Sequence, residues 1–253
     1  MPLTSGIPKQ RGGHASPAPS VAMPRPAVVE LVGPAGAGKT AVLRAIRARD
    51  PGVRAGFSIN RLRFAGVLVR HTLSLLPMSA ELLWRRPRSW WPAMVHILRL
   101  RTLPSALAAA KRSGHRAIVL DEGPVFSLTR LIVFQDAHRC GGRLTQEWQR
   151  AYTRWIDGLD GIVWLDAPDT VLVRRIRERD KAHRIKGKTD DEILRFLRRY
   201  RDAFQDVLVE FRSAGRARIT EIDSSGQTAD QLAAALLSAL PPPSSDGARP
   251  GEP

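Results

Sequence analysis

Cysteine is almost missing from this chain: Cys140 is the only one among 253 residues. A single thiol excludes an intramolecular disulfide and any metal site built from a cysteine cluster. Set in a Cys140-Gly141-Gly142 turn, it reads as a structural residue rather than a nucleophile. Long apolar runs are missing too. No uninterrupted stretch approaches the about 20 residues that span a bilayer, and Met1–Pro26 has no apolar core of the kind a secretory signal carries. The expectation is a soluble cytoplasmic protein with no transmembrane segment. Acidic residues are scarce, 24 against 40 Lys and Arg, for a formal net charge of +16. That excess suits phosphate-bearing ligands, nucleic acid or an anionic membrane surface, and it does not choose among them. There is no internal repeat and no Asn-Lys-x-Asp sequence of the kind that reads guanine, which argues against a GTPase.

Two ends are set aside. Residues 1–26 and 241–253 are rich in Pro, Gly, Ser and Ala, and are expected to be disordered tails for lack of apolar surface to bury. The folded domain is then 27–240, a length that suits one α/β unit. Within it, short apolar runs (Val28–Val32, Val53–Ile59, Arg116–Leu120, Gly161–Leu165, Ala217–Ile222) alternate with helical patterns. Those helices are expected at Ala41–Ile46, through most of Asn60–Arg112, and at Val125–Asp136, Leu144–Leu159, Thr170–Asp180, Thr189–Phe211 and Thr228–Leu240. Such alternation implies a parallel sheet buried on both faces, with ligands gathered at the carboxyl ends of its strands.

The most informative stretch is Gly33-Pro34-Ala35-Gly36-Ala37-Gly38-Lys39-Thr40, followed by Ala41 at the start of a helix. The spacing G-x-x-x-x-G-K-T between a strand and a helix is the P-loop context. Its glycines let backbone N–H groups point inward around a di- or triphosphate, and the helix N-terminus adds partial positive charge. Lys39 then reaches the β/γ-phosphates, and the Thr40 hydroxyl ligates Mg²⁺. The competing reading is an ordinary glycine-rich strand-to-helix turn.

Asp121-Glu122-Gly123 ends the apolar run Ala117–Leu120. An Asp at the tip of a buried strand beside a P-loop can hold Mg²⁺, directly or through water, which puts the metal between Thr40 and Asp121. Glu122 is the nearest candidate base for the proton of an attacking hydroxyl. Apolar-then-acidic is also simply how strands meet loops, and that alternative stays open.

Two basic segments follow. In 174–188, eight Lys and Arg stand against Glu178 and Asp180, and Arg175 and Arg179 share a helical face. Phosphoryl transfer spreads negative charge over the transferred oxygens, so arginines closing over the phosphates are what it requires, and Gly187 can hinge such a lid. A solvated basic helix is the alternative, and His183 reads as polar rather than as a base. The segment 60–112 carries ten Lys and Arg against Glu81 alone, with Trp84, Trp90 and Trp91 interleaved among Arg85, Arg86 and Arg88. It is the expected seat of acceptor specificity. Aromatics beside cations can stack a base, a single-stranded nucleic acid or a sugar phosphate, or rest at a membrane interface, and they can equally be the core of a helical subdomain.

The series GPAGAGKT, IVLDEG, WLDAPDTVLVRRIRERD with its basic loop, and EIDSSGQTADQLAAAL resembles the nucleoside monophosphate kinase-like branch of P-loop proteins, thymidylate kinase-like members in particular, over about Val28 to Leu240. The resemblance implies a three-layer α/β P-loop NTPase fold with a parallel five-stranded sheet, a helical insertion and a basic lid, and ATP with Mg²⁺ as phosphoryl donor. By position it implies that Gly36, Gly38, Lys39 and Thr40 hold ATP phosphates, Asp121 the metal, and Arg175, Arg179 and Arg184 the lid contacts. Ser225 and Gly226 would border the adenine. The chain departs from thymidylate kinases at Asp121-Glu122, where they carry Asp-Arg and the arginine grips the acceptor's phosphate. Glu at that place leaves room for a hydroxyl acceptor with Glu122 as base, as in kinases of nucleosides, sugars or antibiotics. The expectation is an ATP-dependent kinase of a small-molecule phosphate acceptor. The alternative is a basic P-loop ATPase that binds nucleic acid or a protein partner and uses Glu122 on water. A homodimer fits either.

Overall fold

The apolar run at the start of the domain forms the central strand of a five-stranded, all-parallel sheet in the computed structural model, which describes residues 25–57, 65–85, 87–135, 141–179 and 185–240. This strand, β1 (Ala27–Val32), is hydrogen-bonded on one side to β3 (Ala117–Asp121), with Ala27 opposite Ala117 and Leu31 opposite Asp121. On the other side it pairs with β4 (Gly161–Asp166), Val29 opposite Gly161 and Val32 opposite Trp164. The edges are β2 (Val53–Phe57) and β5 (Arg218–Asp223), so the order is β2-β3-β1-β4-β5. The connection leaving β1 heads for β2, while the one leaving β4 heads for β5. The direction of winding therefore reverses between β1 and β4, the place where folds of this kind gather ligands at the carboxyl ends of their strands.

Because side chains alternate along a strand, the central strands feed two separate cores. On one face Val28, Val32, Ile118, Leu120, Ile162 and Trp164 pack against four helices. These are α4 (Trp90–Lys111), α5 (Pro124–Gln135), α6 (Gly142–Ile156) and α8 (Asp190–Ala214). On the other face Val29, Leu31, Val119, Val163 and Leu165 meet α1 (Lys39–Arg49), α7 (Asp169–Glu178), α9 (Ala229–Ala239) and the first turns of α8. The result is helix, sheet, helix. Phe204 and Phe211 of α8 are wholly buried, and truncating either to Ala costs about 3–5 kcal/mol.

Local signals end the elements where they should. Thr189 and Thr228 cap α8 and α9, each in a reciprocal capping box with Glu192 and Gln231. The segment Asn60–Arg112, expected to be mainly helical, holds three helices, α2 (Ala65–Ser74), α3 (Leu76–Arg85) and α4. Its residues 60–64 and Arg86 lie outside the described residues, as do Cys140, residues 1–24 and 241–253. Of the first tail, Arg25 and Pro26 belong to the folded unit: Pro26 is buried, and Arg25 donates to Asp160 at 2.6 Å. That ion pair ties the start of β1 to the turn before β4.

Candidate functional site

The loop that leaves β1 lies at this winding reversal, and its glycines are there for space. An added Cβ at Gly33 would stand 1.9 Å from the Leu165 carbonyl oxygen of β4, and one at Gly36 2.9 Å from that of Leu172 in α7. Both residues also hold positive φ, 149° and 86°, which side chains rarely adopt. Pro34 and Ala37 are buried, while Thr40 at the mouth is exposed. Gly38, in a left-handed conformation, caps α1 with no side chain over the helix N-terminus. Such a terminus favours an anion.

Lys39 folds its ammonium back into this loop, donating to the carbonyl oxygens of Gly33 at 2.6 Å and Pro34 at 2.9 Å. Burial of the ammonium lowers its pKa from 10.5 to about 8, against the pull of the Asp121 and Glu122 carboxylates. Asp121 sits beside Leu31 on the neighbouring strand, and burial with the nearby Glu122 charge raises its carboxyl above the ordinary range. Thr40 and Asp121 supply oxygen donors suited to a hard cation. Among the described residues, no group of three or more His, Cys, Asp or Glu forms a metal cluster, so a metal held here would draw its remaining ligands from water and substrate.

Glu122 stands in the left-handed region at φ 58°, a tight turn immediately after β3. It does not face solvent alone: Arg99 Nη1 of α4 donates to Glu122 Oε2 at 2.6 Å. Arg99, one of ten basic residues in 60–112, is thereby singled out as the link between the helical insertion and the strand end. The turn itself is held by a residue the sequence reading passed over. Glu30, in the middle of β1 and fully buried, accepts the backbone N–H of Val125 at Oε2 (2.8 Å) and of Phe126 at Oε1 (2.9 Å). It serves as the N-terminal cap of α5 from a strand 95 residues away. Burial pushes its carboxyl up from 4.5 to about 8, although the N–H groups of Phe126, Val125 and Gly123 pull the other way. A Cβ at Gly123 would lie 2.7 Å from the Glu30 carboxyl carbon, so the Asp121-Glu122-Gly123 turn closes directly over it. A charged residue inside an otherwise apolar strand run was the available signal.

The arginines of 174–188 divide. Arg175 donates to Ser224 Oγ at 3.0 Å and to its carbonyl at 2.7 Å, with Gly36 O at 3.5 Å. It ties α7 and the loop after β5 to the glycine loop. Arg179, past the end of α7, lies near enough to Lys39 for its charge to lower the lysine's pKa. Arg177 bonds Asp190 at 3.0 Å, and Lys186 donates to the Arg179 carbonyl. Arg184 and His183 lie outside the described residues. At the end of β4, Arg201 of α8 holds Asp166 in a two-pronged pair at 2.9 and 3.0 Å and also bonds Asp169. Ser225 is tied to Asp223 by its N–H at 2.8 Å and its hydroxyl at 2.9 Å, and Gly226 is exposed beside it.

The strand ends thus converge on one place: a glycine loop with a lysine, the carboxylates of Asp121 and Glu122 at the end of β3, and arginines from α4 and α7. The chain matches no model of a known protein family, and no curated protein matches its sequence. In class it is an α/β protein with a five-stranded, all-parallel sheet.

Proposed function

We propose that the protein is an ATP-dependent phosphotransferase of the P-loop kinase type, acting on the hydroxyl of a small-molecule acceptor. One observation carries the reading: at the winding reversal of a parallel sheet, a loop with no room for side chains at Gly33 and Gly36 holds a lysine ammonium across from Asp121. That cradle and donor set fit a nucleotide's phosphates and a magnesium ion. Gly33 to Ala41 would line the phosphates through their N–H groups, Lys39 would leave its loop carbonyls for phosphate oxygens, and Thr40 with Asp121 would hold the metal. Bound ATP·Mg²⁺ supplies the γ-phosphoryl group and neutralises part of its charge.

The rest falls to the chain's own side chains. Glu122 takes the proton of the acceptor hydroxyl, whose oxygen bonds the γ-phosphorus as the bond to the bridging oxygen of the leaving ADP breaks. Arg99, already on Glu122, positions that carboxylate. Arg179 adds positive charge where negative charge builds in the transition state. Arg175 keeps the loop in place. Ser225 and Gly226 fit the border of the nucleotide's base.

The test is an ADP-release screen with nucleoside monophosphates, nucleosides, sugars and aminoglycosides, run beside Lys39→Ala. Acceptor-dependent turnover that vanishes in the variant is the expected result. Turnover that no acceptor raises would replace the kinase by a basic P-loop ATPase, and no turnover in either protein would overturn both.

A further inference from the structure

Seven of the eight large hydrophobic side chains exposed among the described residues lie between Val69 and Val95: Val69 and Leu73 on α2, Leu76, Leu83 and Trp84 on α3, Trp91 and Val95 on α4. Trp84 is 90% exposed and Trp91 63%. Helix α2, AGVLVRHTLS, is mostly apolar, yet none of its residues is buried. Large apolar side chains exposed together in one region of a protein mark an interaction surface.

The charge around it has one sign. Arg70, Arg85 and Arg88 are exposed among these side chains, and Glu81, the only acid from 60 to 112, is occupied by Arg85 and Arg143 at 3.7 Å each. Arg99 and Arg101 turn inward, to Glu122 and Glu147, and so belong to the fold. An occupant must therefore be anionic at its surface and apolar beneath. A second copy of this chain meets the charge condition badly, since it would set arginine against arginine. Single-stranded nucleic acid would stack on the tryptophans but leave Val69, Leu73, Leu76 and Leu83 in water. A helical peptide needs one continuous seam, whereas these side chains are spread over three helices. A fluid lipid interface needs no seam: tryptophan settles at headgroup depth, short aliphatic side chains enter the acyl boundary, and arginines reach the lipid phosphates.

We propose that the outer surface of α2, α3 and the start of α4 docks the protein on a membrane surface rich in anionic lipid, as a peripheral attachment. No helix among the described residues is long and apolar enough to cross a bilayer, and attachment of this kind requires none. The inference stands on exposure and charge, and it is independent of the phosphotransferase reading.

The experiment is flotation of the full chain with vesicles of phosphatidylcholine alone and of phosphatidylcholine with about a quarter phosphatidylglycerol. The variants are Trp84→Ala/Trp91→Ala and Arg70→Glu/Arg85→Glu/Arg88→Glu, with circular dichroism as a check of folding. The substituted tryptophans and arginines are all exposed, so both variants should fold. Expected are flotation with the anionic vesicles only, loss of about tenfold or more in partitioning for each variant, and quenching of tryptophan fluorescence by brominated lipid that is lost in the tryptophan variant. Any one of four results overturns the proposal. These are no flotation with either vesicle, flotation unaffected by the tryptophan substitutions, a dimer in light scattering that the tryptophan variant dissolves, and tryptophan-dependent binding of single-stranded oligonucleotides without vesicle binding.

Discussion

Glu30→Gln separates a capping role from a merely tolerated charge, because the two side chains have the same shape and differ in one atom. In the wild type both carboxyl oxygens face backbone N–H groups, those of Val125 and Phe126. Glutamine offers one oxygen and one NH₂, so one of those N–H groups meets a donor, at a cost of about 1–3 kcal/mol. Against this stands the burial of the charge. With its pKa raised from 4.5 to about 8 in the folded protein, Glu30 binds its proton more tightly when folded than when unfolded. Stability from this group is therefore fullest below pH 4.5 and falls as pH rises through about 8. At about 1.4 kcal/mol per pH unit the total is about 5 kcal/mol. Glutamine does not titrate, and all other groups are common to both proteins. Urea unfolding of the pair at pH 5, 6, 7 and 8.5 should thus show a difference that moves in favour of the variant by several kcal/mol across the series. A difference constant to within about 1 kcal/mol would refute the reasoning and mean that the N–H groups of α5 hold the carboxylate ionised at no net cost.

Lys39→Ala should abolish ATP binding in calorimetry, and wild-type affinity should decline above about pH 8 as the lysine loses its proton; equal binding by both proteins would remove the glycine loop from nucleotide recognition. Gly33→Ala drives a methyl group into the Leu165 carbonyl and should cost about 3 kcal/mol or more in chemical denaturation, or yield insoluble protein. Glu122→Gln should cut phosphoryl transfer about a hundredfold or more while ATP still binds, whereas turnover like the wild type's would leave Asp121 as the only working carboxylate. Arg175→Ala should lower the melting temperature through loss of the Ser224 contacts, while Arg179→Ala should lower kcat far more than ATP affinity; the opposite assignment would exchange brace and lid.

What the chain states locally could be read without the fold. Apolar runs of strand length, the Gly33–Thr40 spacing, and caps such as Thr189 with Glu192 depend on contacts within a few residues, so the alternation of strands and helices and the glycine loop were legible. The two tryptophans Trp84 and Trp91 were legible only as a choice between core and surface, because helical spacing does not say which face has a partner. Strand order, and with it the winding reversal between β1 and β4, was decided by tertiary structure. So were the pairs that build the site: Glu30 with the N-terminus of α5, Arg99 with Glu122, Arg175 with Ser224, Arg201 with Asp166. Each joins groups 23 to 95 residues apart, and an arginine that braces looks the same in sequence as one that closes over a phosphate. Residue type and spacing carry what short-range sterics and hydrogen bonding impose, whereas which charges meet is set by how the packed sheet and its helices bring distant segments together.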